Sequence, residues 1–163
     1  MYNLSKEEKN STETRPISAP SASLKKIQRR IFKLLKRIDR PDYLMAGEKG
    51  KSTLKNAHKH LKNNQILKLD MSNFYPNCTR EYIYSFFNKK MQCSPDVSEL
   101  LCNLLLYNNG LCQGSSPSMV LSFFAYQDMF FEINKIVSER GLIMTTWVDD
   151  ITISGPDNFN NKR

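Results

Sequence analysis

At 163 residues, 40% of them hydrophobic, the chain has the length of one domain and enough apolar content to bury a core. Its formal charge of +8 is concentrated, because residues 24–65 hold 13 lysines and arginines against Asp39, Asp42 and Glu48, a net of +10, and the remainder is slightly acidic. There is no signal peptide, no apolar run long enough to span a membrane, and no C-x-x-C pairing among Cys78, Cys93, Cys102 and Cys112, which argues against a secreted disulfide scaffold or a membrane protein and for a cytoplasmic protein with reduced thiols.

In chain order, residues 1–14 are polar and are expected to be disordered, with order beginning near Arg15-Pro16-Ile17. After Pro20, Leu24, Ile27, Ile31, Leu34, Leu35 and Ile38 recur at helical spacing, and Lys25, Lys26, Arg29, Arg30, Lys33, Lys36 and Arg37 fill much of the other surface. This predicts an amphipathic basic helix ending before Pro41. Such a helix suits nucleic acid, since phosphate neutralisation supplies most sequence-independent affinity; a merely solvated face is the plain alternative. The segment Gly47-Glu48-Lys49-Gly50-Lys51-Ser52 has the look of a phosphate-binding loop, yet its first glycine would fall at Met45 and no apolar strand leads into it, so it reads as a basic loop.

Ile66-Leu67-Lys68-Leu69-Asp70-Met71 predicts a strand. Two helical patterns follow, Ile83, Phe86, Phe87 and Met91, then Val97, Leu100, Leu101, Leu104 and Leu105, the second opened by Ser94 as N-cap with Pro95 at the first helical position and closed by Gly110. A loop, Leu111 to Pro117, leads to one long, largely buried helix from Leu121 to Val137. Gly141 then introduces a hairpin built on Met144-Thr145-Thr146-Trp147-Val148 with Asp149-Asp150 at its turn. This order predicts an α+β fold, a ferredoxin-like antiparallel sheet backed by helices, with Asp70 and the hairpin on neighbouring strands.

Three acids at the ends of apolar strands are expected to be partly removed from water and so to need compensation. A hard oxygen cluster suits Mg²⁺, which completes its shell with substrate phosphates, and two such ions support in-line phosphoryl transfer from a nucleoside triphosphate. Taken alone, Asp-Asp is more often a solvated turn. His58 and His60 are the only histidines and have no cysteine near in sequence, so packing or hydrogen bonding outweighs zinc.

Leu67-Lys68-Leu69-Asp70-Met71-Ser72-Asn73-Phe74-Tyr75-Pro76, then Cys112-Gln113-Gly114 with Ser118 and Leu121-Ser122, then Trp147-Val148-Asp149-Asp150 resemble, in order, the palm motifs of reverse transcriptases. Arg15-Pro16-Ile17-x-x-Pro20 with Leu24-Lys25-x-Ile27-Gln28 is similar to the fingers motif of bacterial retron-type enzymes, and Asn56-Ala57-His58-Lys59-His60 to their Asn-Ala-x-x-His signature. The resemblance covers about residues 15–155 and implies a basic fingers-like region over 15–65 and a palm over 66–163.

It further implies RNA-directed DNA polymerase activity, with Asp70, Asp149 and Asp150 holding two Mg²⁺ ions and the Met71 carbonyl as a further ligand. Tyr75 falls at the family's steric gate against a ribose 2′-hydroxyl, Gln113 lines the nucleotide pocket, and Arg15 reaches the triphosphate. Lys25, Arg29, Arg30, Asn56 and His60 are expected to contact RNA. The implied partners are a structured non-coding RNA serving as template and primer, deoxynucleotides and the RNA–DNA hybrid, and the implied biology is defence against phage.

The chain departs from the family at Cys112, where many relatives have proline, which is expected to loosen the loop presenting Gln113, and at Trp147, where an aromatic support is kept. It stops thirteen residues after Asp150, before the helical thumb and the Val-Thr-Gly element of relatives, and so is expected to be a fragment, a truncated product or one half of a split enzyme that a thumb fragment or an effector protein would join. The alternatives are a catalytically silent RNA-binding fragment and, less well supported by Tyr75 and the Asn56 to His60 signature, an RNA-templated RNA polymerase.

Overall fold

Strand-forming and helix-forming patterns alternate along the chain, and the order they produce is β1 (Tyr2–Lys9), β2 (Glu13–Pro20), α1 (Ala22–Leu35), α2 (Thr53–His60), β3 (Gln65–Asp70), α3 (Phe74–Asn77), α4 (Arg80–Ser85), a π-helical turn (Phe86–Lys90), α5 (Pro95–Leu105), α6 (Ser118–Ala125), α7 (Gln127–Glu139), β4 (Ile143–Trp147) and β5 (Asp150–Gly155). The computed structural model describes residues 2–9 and 13–156, the side chains of 2–9 and 13–18 excepted.

Two compact units divide the chain, Met1–Asp39 with Asn73–Tyr126, and Arg40–Ser72 with Gln127–Arg163. Strand pairing sets this division, because β3 has no partner near in sequence and takes β5, which draws the segment before Asn73 into the unit of the hairpin.

In that second unit the sheet is antiparallel in the order β3-β5-β4, as the α+β reading expects. Helices α2 and α7 pack against β4. The outer edge of β4 is closed by residues 43–45, where the Met45 N–H donates to the Thr146 carbonyl and the Thr146 N–H to the Tyr43 carbonyl, each at 2.9 Å. The core is Leu44, Met45, Phe130, Val137, Met144, Ile151 and Ile153. The segment resembling a phosphate-binding loop is two left-handed glycine turns, Gly47 and Gly50, leading to Ser52, whose hydroxyl accepts from the Lys55 N–H and caps α2.

The first unit is built around Phe74, Ile83, Phe86, Phe87, Cys102, Leu105, Leu121, Phe123 and Phe124, with the Phe86 and Phe124 rings stacked at 4.5 Å. Helix α1 turns Gln28 and Leu35 inward, while Ile27 and Leu34, expected on the buried face, are exposed. Ser94 does occupy the N-cap of α5 with Pro95 in its first turn, though its side chain makes no capping bond.

Two expectations are corrected here. Residues 2–9, expected to be disordered, pair as β1 with β2 in an antiparallel register running from Tyr2 opposite Pro20 to Lys9 opposite Glu13; residues 1 and 10–12 of that stretch lie outside those described. The single helix expected over Leu121 to Val137 is two helices broken at Tyr126. No glycine or proline marks the break. Tyr126 is tied elsewhere, its hydroxyl donating to the Asn77 carbonyl at 2.7 Å and its ring packing on Phe74 and Tyr82, which takes it out of the helical path.

Candidate active site

The antiparallel register of β3 and β5 sets Asp70 directly opposite Asp150, and that of β4 and β5 sets Trp147 opposite Asp150. Directly opposed residues place their side chains on one face of a sheet, so two carboxylates 80 positions apart in sequence become neighbours. Asp149 stands beside them in the two-residue turn Val148-Asp149, and its carbonyl accepts from the Met71 N–H at 3.1 Å, which ties the end of β3 to the turn. Val148 has φ of +58°, a left-handed conformation that a β-branched residue adopts only under constraint. The turn is therefore held by what surrounds it.

Burial differs from expectation. Asp149 and Asp150 are half-buried, but Asp70 is exposed, as is every residue of β3, because β3 is an edge of the sheet. Burial thus imposes no demand for compensation at Asp70. Asp150 has a cation at hand, the Lys68 ammonium 3.3 Å from its Oδ1, on a strand position that shares the face of Asp70. Opposed carboxylates with a third beside them, reached by water and partnered by an exposed ammonium, are a donor set that fits a hard divalent cation. Among the described residues no three acidic, imidazole or thiol side chains close into a complete ligand cluster.

In the first unit, Tyr75 lies half-buried on the single turn of α3, and its carbonyl accepts from the Leu111 N–H at 3.2 Å. That bond joins Tyr75 to the loop bearing Gln113. Tyr107 and Gly110 exchange backbone hydrogen bonds around Asn108 and Asn109, both at positive φ, the signature of a type I′ turn. Gly110 then lies so near Pro76 that a Cβ would stand 2.7 Å from its carbonyl oxygen. Gln113 is exposed, while the loop on either side is fixed: the Ser118 hydroxyl donates to the Cys112 carbonyl at 2.8 Å and the Ser115 hydroxyl to Oε1 of buried Gln28 at 2.8 Å. Gln28 Nε2 in turn donates to the Leu104 carbonyl at 2.8 Å. Cys112, expected to loosen this loop, is buried.

Lys25, Arg29 and Arg30 are exposed along α1, where phosphate can reach them. The Arg15 side chain lies outside the described residues. His60, expected to contact RNA, is 4% exposed, with Nδ1 at 2.6 Å from the Ser154 hydroxyl and Nε2 at 2.8 Å from the Thr145 hydroxyl. Asn56, one helical turn earlier, shares that face of α2, and its Oδ1 is buried without a hydrogen-bond partner among the described residues.

Burial, with a smaller contribution from Lys59, holds the His60 imidazole below its ordinary pKa. A histidine depressed in the fold binds its proton more readily in the unfolded chain, so its contribution to stability is full above about pH 6.5 and is lost as pH falls toward the folded-state value. The melting temperature is therefore expected to drop on acidification from pH 7 to 5, and to drop less steeply in His60→Gln. Equal slopes in the two proteins would remove His60 from the account.

The sequence profile of the family described as Reverse transcriptase (RNA-dependent DNA polymerase) matches residues 6–159. The chain belongs to the reverse transcriptase family. Among its relatives it is 33% identical over 149 residues to the retron Se72 reverse transcriptase of Salmonella heidelberg (strain 579083-10), covering 91% of this chain and 39% of the relative. It is 30% identical over 141 residues to the retron Ec86 reverse transcriptase of Escherichia coli, covering 86% and 44%, and 29% identical over 163 residues to the retron Ec83 enzyme of the same organism, covering 94% and 52%. The chain thus spans about half the length, or less, of these relatives. Within the family frame, the residues that sequence motifs did not single out are Gly110, Thr145 and Ser154, while Gln28 stood in the fingers motif without a role; hydroxyl residues in and beside apolar strand patterns were the signal for the last two.

Proposed function

We propose that the chain carries the nucleotide-adding centre of a retron-type RNA-directed DNA polymerase, using an RNA template and primer and deoxynucleoside triphosphates. The observation that carries this reading is the Asp70–Asp150 register with Asp149 in the adjoining turn. Asp70, Asp149 and Asp150, with the Met71 carbonyl, would hold Mg²⁺, which when bound activates the attacking hydroxyl and stabilises the departing pyrophosphate. The exposed Lys25, Arg29 and Arg30 would take RNA phosphates and Gln113 and Arg15 the nucleotide, while Asn56, whose Oδ1 is buried, would support the RNA-binding surface from beneath. The fingers-like and palm-like parts of the resemblance, and a cytoplasmic setting in which Cys78, Cys93, Cys102 and Cys112 stay out of disulfides, belong to the same reading.

Primer extension on an RNA template with Mg²⁺ and deoxynucleotides tests it, with Asp149→Ala, Asp150→Ala as the control. Incorporation by the wild type and not by the control supports the polymerase reading. No incorporation by either, with salt-sensitive RNA binding in both, identifies RNA binding alone.

Tyr75 is the residue that the family resemblance assigns to the exclusion of a ribose 2′-hydroxyl, and its helix is pinned to the Gln113 loop. Tyr75→Val is expected to raise ribonucleotide incorporation relative to deoxynucleotide at least tenfold, on the order of 1.4 kcal/mol of discrimination, read from the ratio of kcat/KM values. An unchanged ratio assigns the ring to packing.

A further inference from the structure

We propose that His60 is a positioning residue for the aspartate hairpin; the inference rests on the polymerase reading for its functional meaning but not for its structural content. His60 ends α2, and its two ring nitrogens reach the hydroxyls of Thr145 on β4 and Ser154 on β5. Those are the two strands that the Val148-Asp149 turn joins. Side chains alternate along a strand, so Asp150, Thr152 and Ser154 share one face of β5, and the register puts Trp147, Thr145 and Asp70 on that same face. The imidazole therefore sits on the aspartate face of the sheet and spans β4 and β5 at the end away from the turn.

Asn63 Nδ2 also donates to the Ser154 oxygen at 2.6 Å, and a neutral imidazole carries one donor and one acceptor nitrogen, so in either tautomer the ring bonds one hydroxyl as donor and the other as acceptor. Thr145 and Ser154 are both fully buried, so each hydroxyl has this bond in place of water. A rigid, planar group with two acceptor–donor ends fixes the separation of the two hydroxyls, and through them the relative pitch of β4 and β5. The turn needs such a brace, because Val148 is held at positive φ and a freed hairpin would relax it. Movement of β5 relative to β4 displaces Asp149 and Asp150 from Asp70, and displaced donors bind a divalent cation less well.

The spacing of the Asn56 to His60 signature is explained in the same terms. Residues i and i+4 share a helix face, and this face is turned to the sheet, not to solvent.

The test uses the full chain, with Mn²⁺ alone as the probe, and follows Mn²⁺ affinity, amide hydrogen exchange across residues 143–155 and RNA affinity in wild type, His60→Ala and His60→Gln. His60→Ala is expected to weaken Mn²⁺ binding at least fivefold and to speed exchange in β4 and β5 with RNA affinity unchanged. His60→Gln, whose amide donates at one end and accepts at the other, is expected to recover at least half of both losses. A tenfold loss of RNA affinity with Mn²⁺ affinity and exchange unchanged overturns the proposal and makes His60 a recognition residue. Should His60→Ala fail to fold, Thr145→Val, which removes one bond at nearly constant volume, is expected to weaken Mn²⁺ binding about threefold; wild-type affinity and exchange in that variant also overturn it. A wild type that adds no nucleotide defeats the polymerase reading alone, because exchange still reports whether His60 braces the hairpin.

Discussion

Asp70→Asn is expected to lower nucleotide addition by about a thousandfold, equivalent to about 4 kcal/mol of transition-state stabilisation, while leaving the melting temperature at the wild-type value. The two halves of this expectation have separate causes. Asp70 is exposed at the end of an edge strand and none of its neighbours depends on it for packing, so an isosteric amide costs the fold almost nothing. Its carboxylate nevertheless faces Asp150 across the register, and one charge fewer there weakens the hold on a divalent ion. Steady-state incorporation and calorimetry on the same preparation check both. A fall in activity that tracks a fall in melting temperature would make Asp70 a structural residue.

Gly110→Ala is expected to be the most destabilising single-methyl change in the first unit, costing about 1–3 kcal/mol, the ordinary range for overpacking a close contact. The added Cβ meets the Pro76 carbonyl oxygen at 2.7 Å and the Pro76 Cα at 3.2 Å, both backbone atoms that cannot swing aside as a side-chain tip can. Relief requires α3 to part from the turn at Tyr107–Gly110, and that parting breaks the Leu111–Tyr75 and Arg80–Asn109 backbone bonds. Tyr75 and the Gln113 loop then lose their mutual registration. Urea unfolding gives the stability loss, and the ribonucleotide-to-deoxynucleotide ratio gives its functional echo. A variant with wild-type stability would show that the two segments separate without cost.

Much of the site was legible in the chain. The strand ending in Asp70 and the hairpin carrying Asp149-Asp150 follow from apolar, β-branched and aromatic content, and the expectation that they lie on neighbouring antiparallel strands agrees with the pairing of β3 and β5. What escaped was set by contacts that no local pattern encodes. Tyr126 interrupts an apolar run that is periodic on both sides, because a carbonyl far away in sequence takes its hydroxyl. Gly110 reads as a helix stop, whereas α5 already ends at Leu105 and the glycine is required by the backbone of Pro76.

His60 divides the two routes of inference. The plain reading of a lone histidine, hydrogen-bonded and packed, agrees with both of its ring nitrogens being engaged, while the role implied by family resemblance placed it against RNA. Burial of Asp70 was misjudged for a related reason. Apolar content marks a strand, but only its place in the sheet decides whether that strand is covered, and Ile66, Leu67 and Leu69 are exposed on an edge.

The pairing of β3 with β5 also governs when the protein can fold as it is made. About eighty residues separate the two strands, so at the usual 5–20 residues per second roughly 4–16 s of synthesis pass between the emergence of one and of the other. Throughout that interval Ile66, Leu67 and Leu69 leave the ribosome as an apolar strand with no partner, and loop closure over such a length makes the pairing slow once β5 arrives. The first unit, by contrast, has all its segments in hand at Tyr126. The nascent chain would therefore assemble its aspartate centre last.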